Sequence, residues 1–153
     1  ISAPDAPPLY EYRNVDDGFT RGVELEGGVV AGGFRVDAGG SLLETRDRSS
    51  GEPLLGRAPY SGRITISRPI AVGVRGSITS VYTARTPMQR DPDGAVSSWR
   101  DAYPRFDVRL VRPMTRDVEL SLQVDNLFDR RPAEWAGFTG RQLFAALRWN
   151  AER

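Results

Sequence analysis

Two acidic pairs are the residues in this sequence best spaced for chemistry. Glu24 and Glu26 share one face of any β-strand that contains them, about 7 Å apart by strand rise, close to a glycosidase carboxyl separation. Asp91-Pro92-Asp93-Gly94 places two carboxylates beside a glycine, in the manner of a calcium loop. That segment lacks the remaining ligands and the closing glutamate, so a turn at a loop tip accounts for it better. Same-face carboxylates on a charged, wet surface likewise account for Glu24 and Glu26, and Asp16-Asp17-Gly18 reads as a turn.

What is missing narrows the chemistry further. All 21 basic residues are arginine, and the 153 residues include no Lys, His or Cys. Without Cys or His there is no disulfide framework, zinc-finger spacing, Ser-His-Asp or Cys-His pair, or imidazole acid/base. Without Lys there is no Walker-type phosphate loop and no Schiff-base chemistry. These absences point away from an enzyme, and no cofactor is implied. The 21 arginines are balanced by 20 Asp and Glu, a net charge of +1, and alternate with them as in Arg46-Asp47-Arg48. A nucleic-acid partner would need a clustered basic surface, so none is expected.

The elements that carry these residues have a period of two. Gly22–Ala31 sets Val23, Leu25, Gly27, Val29 and Ala31 against Glu24, Glu26, Gly28 and Val30. The same alternation recurs over Phe34–Leu42, Tyr60–Ser67, Val72–Tyr82, Arg105–Leu110, Asp117–Val124 and Gln142–Trp149. A weaker opening strand over Leu9–Asn14 makes about eight, after an irregular lead-in over residues 1–8, and no stretch keeps a helical period. The chain is all-β.

Connections alternate in length. Ala31-Gly32-Gly33, Pro69-Ile70-Ala71 and Pro113–Arg116 are tight, whereas Arg46–Ala58, Thr86–Ser98 and Asp129–Thr139 are long. An antiparallel up-and-down meander with every second turn at one end produces this alternation, and outer-membrane barrels have such short and long ends. No apolar run approaches the roughly 20 residues of a transmembrane helix, but a membrane strand needs only about 9–11. Aromatic residues gather near strand ends, at Tyr10, Tyr12, Phe19, Tyr60, Tyr82, Tyr103, Phe106, Phe128 and Trp149, as headgroup-level girdles require. The charged face must then line a wet lumen, where Glu24, Glu26, Arg35, Asp37, Arg63, Arg75, Asp107, Arg109 and Glu119 are expected to pair across neighbouring strands.

The end of the chain carries a more specific pattern. Asn126-Leu127-Phe128-Asp129 closes the penultimate strand, Gly140-Arg141 opens the last, and Leu143, Ala145, Leu147 and Trp149 form its apolar face. With Gly22-Val23-Glu24 upstream, this ordered set resembles the C-terminal end of TonB-dependent outer-membrane receptors. The resemblance implies a segment of a transmembrane β-barrel of about 22 strands with an N-terminal plug, engaged in energised uptake of iron chelates, cobalamin or other large nutrients. The chain, which begins at Ile1 without an initiator Met or a signal peptide, is then expected to be the C-terminal third or so of such a receptor, in the bacterial outer membrane. Its implied partners are outer-membrane lipid, the rest of the barrel and the plug, TonB indirectly, and the barrel-assembly machinery, which reads a terminal strand ending at Trp149. In or beside two of its long loops, Trp99, Arg100, Tyr103, Arg130, Arg131 and Trp135 offer cation and aromatic contacts for an anionic chelate.

Two other readings fit the same alternation. One is a complete eight-stranded outer-membrane barrel with a structural or adhesion role; the other is a soluble β-barrel binding module.

Overall fold

The computed structural model describes residues 17–131 and 140–150. The expected Leu9–Asn14 strand, the lead-in over residues 1–8 and Trp135 lie outside the described residues. The described residues form nine strands: β1 (Gly18–Ala31), β2 (Phe34–Asp47), β3 (Tyr60–Ala71), β4 (Val74–Thr83), β5 (Thr86–Arg90), β6 (Val96–Arg100), β7 (Tyr103–Pro113), β8 (Val118–Asp125) and β9 (Gln142–Trp149). Seven form one antiparallel sheet in the order β1-β2-β3-β4-β7-β8-β9, and β5 and β6 pair separately as a hairpin. Within the large sheet each strand hydrogen-bonds to its neighbours in sequence, the up-and-down meander that the loop lengths require.

Register converts the period-two pattern into two faces. One row runs across all seven strands through Val29, Val36, Ile66, Ile78, Val108, Val124 and Leu143. The adjacent row on the opposite face runs through Gly28, Asp37, Thr65, Thr79 and Asp107. The apolar face is not a core: Leu25 is 73% exposed, Leu143 76% and Trp149 71%, while Ala84 is the only buried hydrophobic residue among those described. A water-soluble sheet would have to cover so large an apolar surface. Among the described residues no helix is long and apolar enough to cross a membrane.

All three short connections lie at one end and all three long ones at the other. Gly32 and Gly33, with φ of 58° and 79°, form the left-handed two-residue turn of a tight hairpin. The second tight turn is at Val72-Gly73 and not at Pro69-Ile70-Ala71, which belongs to β3. Gly73 supplies the positive φ of 69°, and the proline is accommodated where the β3–β4 register shifts between Pro69 and Ala71. The fourth strand accordingly starts at Val74, two residues later than the alternation indicates. Trp149 pairs with Val118 at the short-turn end, while Tyr60 and Tyr82 stack at 5.9 Å near the long-loop end.

The polar face is held differently from the expectation. Its ion pairs run along strands, Arg35 to Asp37 at 2.8 Å and Arg105 to Asp107 at 2.9 Å. The bonds across strands on this face join hydroxyls instead, Ser41 to Ser61 at 2.9 Å and Thr65 to Thr79 at 3.0 Å. An Arg two residues from an Asp shares its face at about 7 Å, a span the long guanidinium arm covers without crossing to another strand.

Gly22 faces this side where β1 and β2 approach closely. A Cβ there would collide with the Leu42 carbonyl oxygen and meet Leu43 Cδ1 at 3.1 Å, whereas one at Gly27 would meet nothing within 4 Å. In the full-length protein Gly22→Val should cost about 1–3 kcal/mol, read as a lower urea midpoint for loss of the folded band. Gly27→Val should leave that midpoint unchanged.

Candidate functional site

The functional candidates gather at the long-loop end, where the backbone must satisfy its polar groups without a ladder. Thr86–Ser98, expected as a loop, instead holds the β5–β6 hairpin. Its tip is the Asp91–Gly94 turn, in which the Gly94 amide donates to the Asp91 carbonyl at 2.9 Å and φ of Gly94 is +92°. Arg90 ties this hairpin to the β2–β3 loop. Its guanidinium donates to Ser50 Oγ at 2.8 Å, to the Gly94 carbonyl at 3.0 Å and to the Pro53 carbonyl at 2.9 Å, and lies 3.7 Å from Asp47. The Gly56 amide adds a bond to the Pro87 carbonyl, and Thr86 and Pro87 are fully buried beneath. Two long loops thus form one body. Sequence reasoning passed over Arg90; the available signal was the Pro-Asp-Gly turn between two short β-prone runs.

A second knot sits where β8 ends. Asn126 is buried and adopts φ of 52°, a conformation Asn tolerates better than most residues. Its amide donates to Asp107 Oδ1 at 2.9 Å; its side chain donates to the Arg130 carbonyl at 2.8 Å and accepts from the Arg130 amide at 3.0 Å. The Leu127 amide donates to the Phe106 carbonyl, and Phe128 meets Phe106 edge-on at 5.3 Å. Asp129 accepts from the Arg141 amide at 2.7 Å and pairs with Arg131 at 3.1 Å. Those two contacts hold its carboxyl below the usual carboxylate range, the Arg141 amide contributing most. Gly140 lies against this pair: a Cβ there would stand 2.5 Å from both Arg131 Nε and Asp129 Oδ1.

The expected contact residues fall in two groups. Trp99 and Arg100 lie on β6 and Tyr103 opens β7; Arg85 stacks over the Trp99 ring at 4.9 Å. Arg130 and Arg131 follow β8, with Arg130 exposed and Arg131 engaged by Asp129. The groups are linked through β7, because the Asn126 knot is bonded to Phe106 and Asp107 of that strand. Glu24 lies on the lumen-type face opposite Ser41, in a concavity it shares with Glu26, Asp37, Arg63 and Arg105. No cluster of three metal-ligating side chains occurs among the described residues.

Solved structures share this architecture. The ferric enterobactin receptor PfeA of Pseudomonas aeruginosa superposes with a TM-score of 0.73 over 89% of this chain and 23% of its own, at 16% identity. This chain has the barrel-wall fold of a TonB-dependent receptor. The siderophore receptor PirA of Acinetobacter baumannii gives 0.68 over 85% of this chain and 22% of its own, at 16% identity. The copper transporter OprC gives 0.70 over 86% and 24%, at 20% identity. The chain therefore spans about a quarter of the receptors it matches. No family model matches it, and no curated protein matches it by sequence.

Asn126→Ala should remove both side-chain bonds and strain the positive φ, costing about 2–4 kcal/mol. The expected readout in the full-length protein is faster proteolytic cleavage between β8 and β9, with Asn126→Gly intermediate because it restores only the backbone freedom. The Asp129 anchor has a pH dependence of its own. Its folded pKa is lowered, so its contribution is complete above the unfolded value of about 3.9 and is lost as pH falls through the folded one. Protection of the Arg141 amide against hydrogen exchange, relative to its intrinsic rate at the same pH, should fall over that acid window, and Asp129→Asn should abolish that fall.

Proposed function

We propose that this chain is the C-terminal wall of an outer-membrane receptor for energised uptake of a large nutrient, an iron chelate, cobalamin or a similar compound. The observation that carries the proposal is the sidedness of the seven-stranded sheet: an exposed apolar face, an opposite face of charges and hydroxyls, and all long loops at one end. That combination suits a barrel with lipid outside and a wet lumen inside. The architecture shared with receptors for ferric enterobactin, other siderophores and copper supports the transport class. Residues 1–153 would form one unit with the rest of the barrel and its plug, TonB acting through the plug. The last strand, with Trp149 at its end, would be read by the assembly machinery through strand addition.

The long-loop end would face outward and present the substrate contacts. Trp99, Arg100, Tyr103, Arg130 and Arg131 supply aromatic faces and guanidinium forks for an anionic chelate, a role also proposed for Trp135, which lies outside the described residues. The Arg90 staple and the Asn126 knot would hold that surface in place, so that less ordering is needed on binding.

Orientation and function are tested together in cells carrying the full-length protein. Cysteines replacing Glu52 and Asp93 should react with an impermeant maleimide in intact cells, and one replacing Val72 only after the outer membrane is broken. The reverse pattern overturns the orientation. Trp99→Ala and Arg130→Ala should each raise the nutrient concentration for half-maximal uptake about tenfold or more at equal receptor abundance, a loss of about 1.4 kcal/mol. Unchanged uptake removes these residues from the binding surface.

A further inference from the structure

One cluster of charges lies on the outward face at the long-loop end of the sheet. By register, Phe19 and Arg21 of β1 and Glu44 and Arg46 of β2 continue the outward face that carries Val23 and Leu42. Leu42 pairs with Tyr60, whose ring stacks on Tyr82, and this row ends the apolar band toward the long loops. Arg21 and Glu44 lie one pleat repeat beyond it, about 7 Å, and Phe19 and Arg46 about 14 Å beyond. That is headgroup height. Arg48, in the following turn, closes back over the same aromatic ring: Arg21 and Arg48 each lie 5.9 Å from the Phe19 centroid.

The cluster is arginine-rich where the rest of the face carries no acid. Arg21 meets Glu44 at 2.7 Å, Arg46 meets the same carboxylate at 3.3 Å and donates to the Gly51 carbonyl at 3.2 Å, and Arg48 meets Asp17 at 3.3 Å. Three guanidiniums therefore share two carboxylates, and Glu44 is the single carboxylate on the outward face of the described seven-stranded sheet. Each fork is held by its partner yet has further N–H groups with no partner among the described residues. The three side chains are 74%, 56% and 61% exposed. Pre-positioned forks with spare donors match the tetrahedral oxygens of a phosphate, and their height and direction put a lipid within reach.

We infer that Arg21, Arg46 and Arg48, gathered around Phe19, form a binding site for the phosphate groups of a glycolipid headgroup in the outer leaflet. The inference rests on the receptor reading above, which supplies the membrane and its orientation. The ring and Glu44 hold the guanidiniums side by side; the lipid phosphate contributes the negative charge that the cluster lacks. Such a site would fix the lipid shell beside β1 and β2.

The test uses the full-length receptor in dodecyl maltoside micelles doped with diphosphorylated lipid A or with the same glycolipid stripped of phosphate. Wild type should bind the diphosphorylated lipid at least tenfold more tightly. Arg21→Gln/Arg46→Gln/Arg48→Gln should lose that preference, and Arg46→Gln and Arg48→Gln alone should each weaken binding about threefold. Arg68→Gln/Arg112→Gln, at the opposite rim, should change nothing. Equal affinity for both lipids, an unaffected triple variant, or an equal loss on substituting Arg68 and Arg112 would overturn the assignment. Displacement by millimolar inorganic phosphate would overturn the lipid as its source. The heat-modifiable band separates the two levels: a folded wild-type receptor indifferent to phosphate ends this inference alone, whereas a wild-type protein without that band ends the receptor reading and this inference with it.

Discussion

The whole sheet depends on unbroken antiparallel register. Because side chains alternate with a period of two, a slip of one residue in any strand would exchange its two faces. The row from Val29 to Leu143 stays apolar through seven strands only because every pairing between them keeps the same parity. The irregularity between Pro69 and Ala71 falls at the turn end of β3, beyond the Ile66–Ile78 pair, where it leaves that row intact. Hydrophobic burial does not hold this fold in the usual way, since so little apolar surface is enclosed. The backbone ladder sets the shape, and the outward face gains its stability from the medium it meets.

Once the faces are fixed, each end has a different task. The short-turn end needs only to reverse the chain, and Gly32-Gly33 and Val72-Gly73 do so with positive φ angles. The long-loop end must order extended chain outside the ladder. It does so with two buried or half-buried polar residues: Arg90, which bonds the Gly94 carbonyl of its own hairpin and the distant Pro53 carbonyl, and Asn126, whose side chain bonds the Arg130 backbone while its amide reaches Asp107. Asp107 connects the two regimes: its carboxylate receives Arg105 on the polar face and the Asn126 amide at the start of the loop. The long-loop end is thereby tied to the polar face beneath it.

This division suits uptake. In the proposed receptor, a wall with fixed faces would provide a passage and a lipid seal, and the loops could vary in chemistry without disturbing either. The proteins that share the architecture carry different cargoes by their names, ferric enterobactin in one case and copper in another. Fold and cargo are separable across these structures, because one fold is shared by proteins named for different cargoes.

By itself the sequence determined what depends on near neighbours. Alternation at Gly22–Ala31 or Val118–Val124 is a local property, so strand content, the two faces and the long and short connections were legible from it. Asn126 and Gly140 stood out as a pattern, but their partners did not, because Asp107 and Asp129 lie 19 and 11 positions away, respectively. Tertiary structure alone decided the partners of Arg90, the turn at Val72-Gly73 and the pairing of polar-face charges along strands. The reason is physical. A long arginine can reach several acceptors at similar cost, and only the relative placement of distant chain segments decides which of them lies within hydrogen-bonding distance.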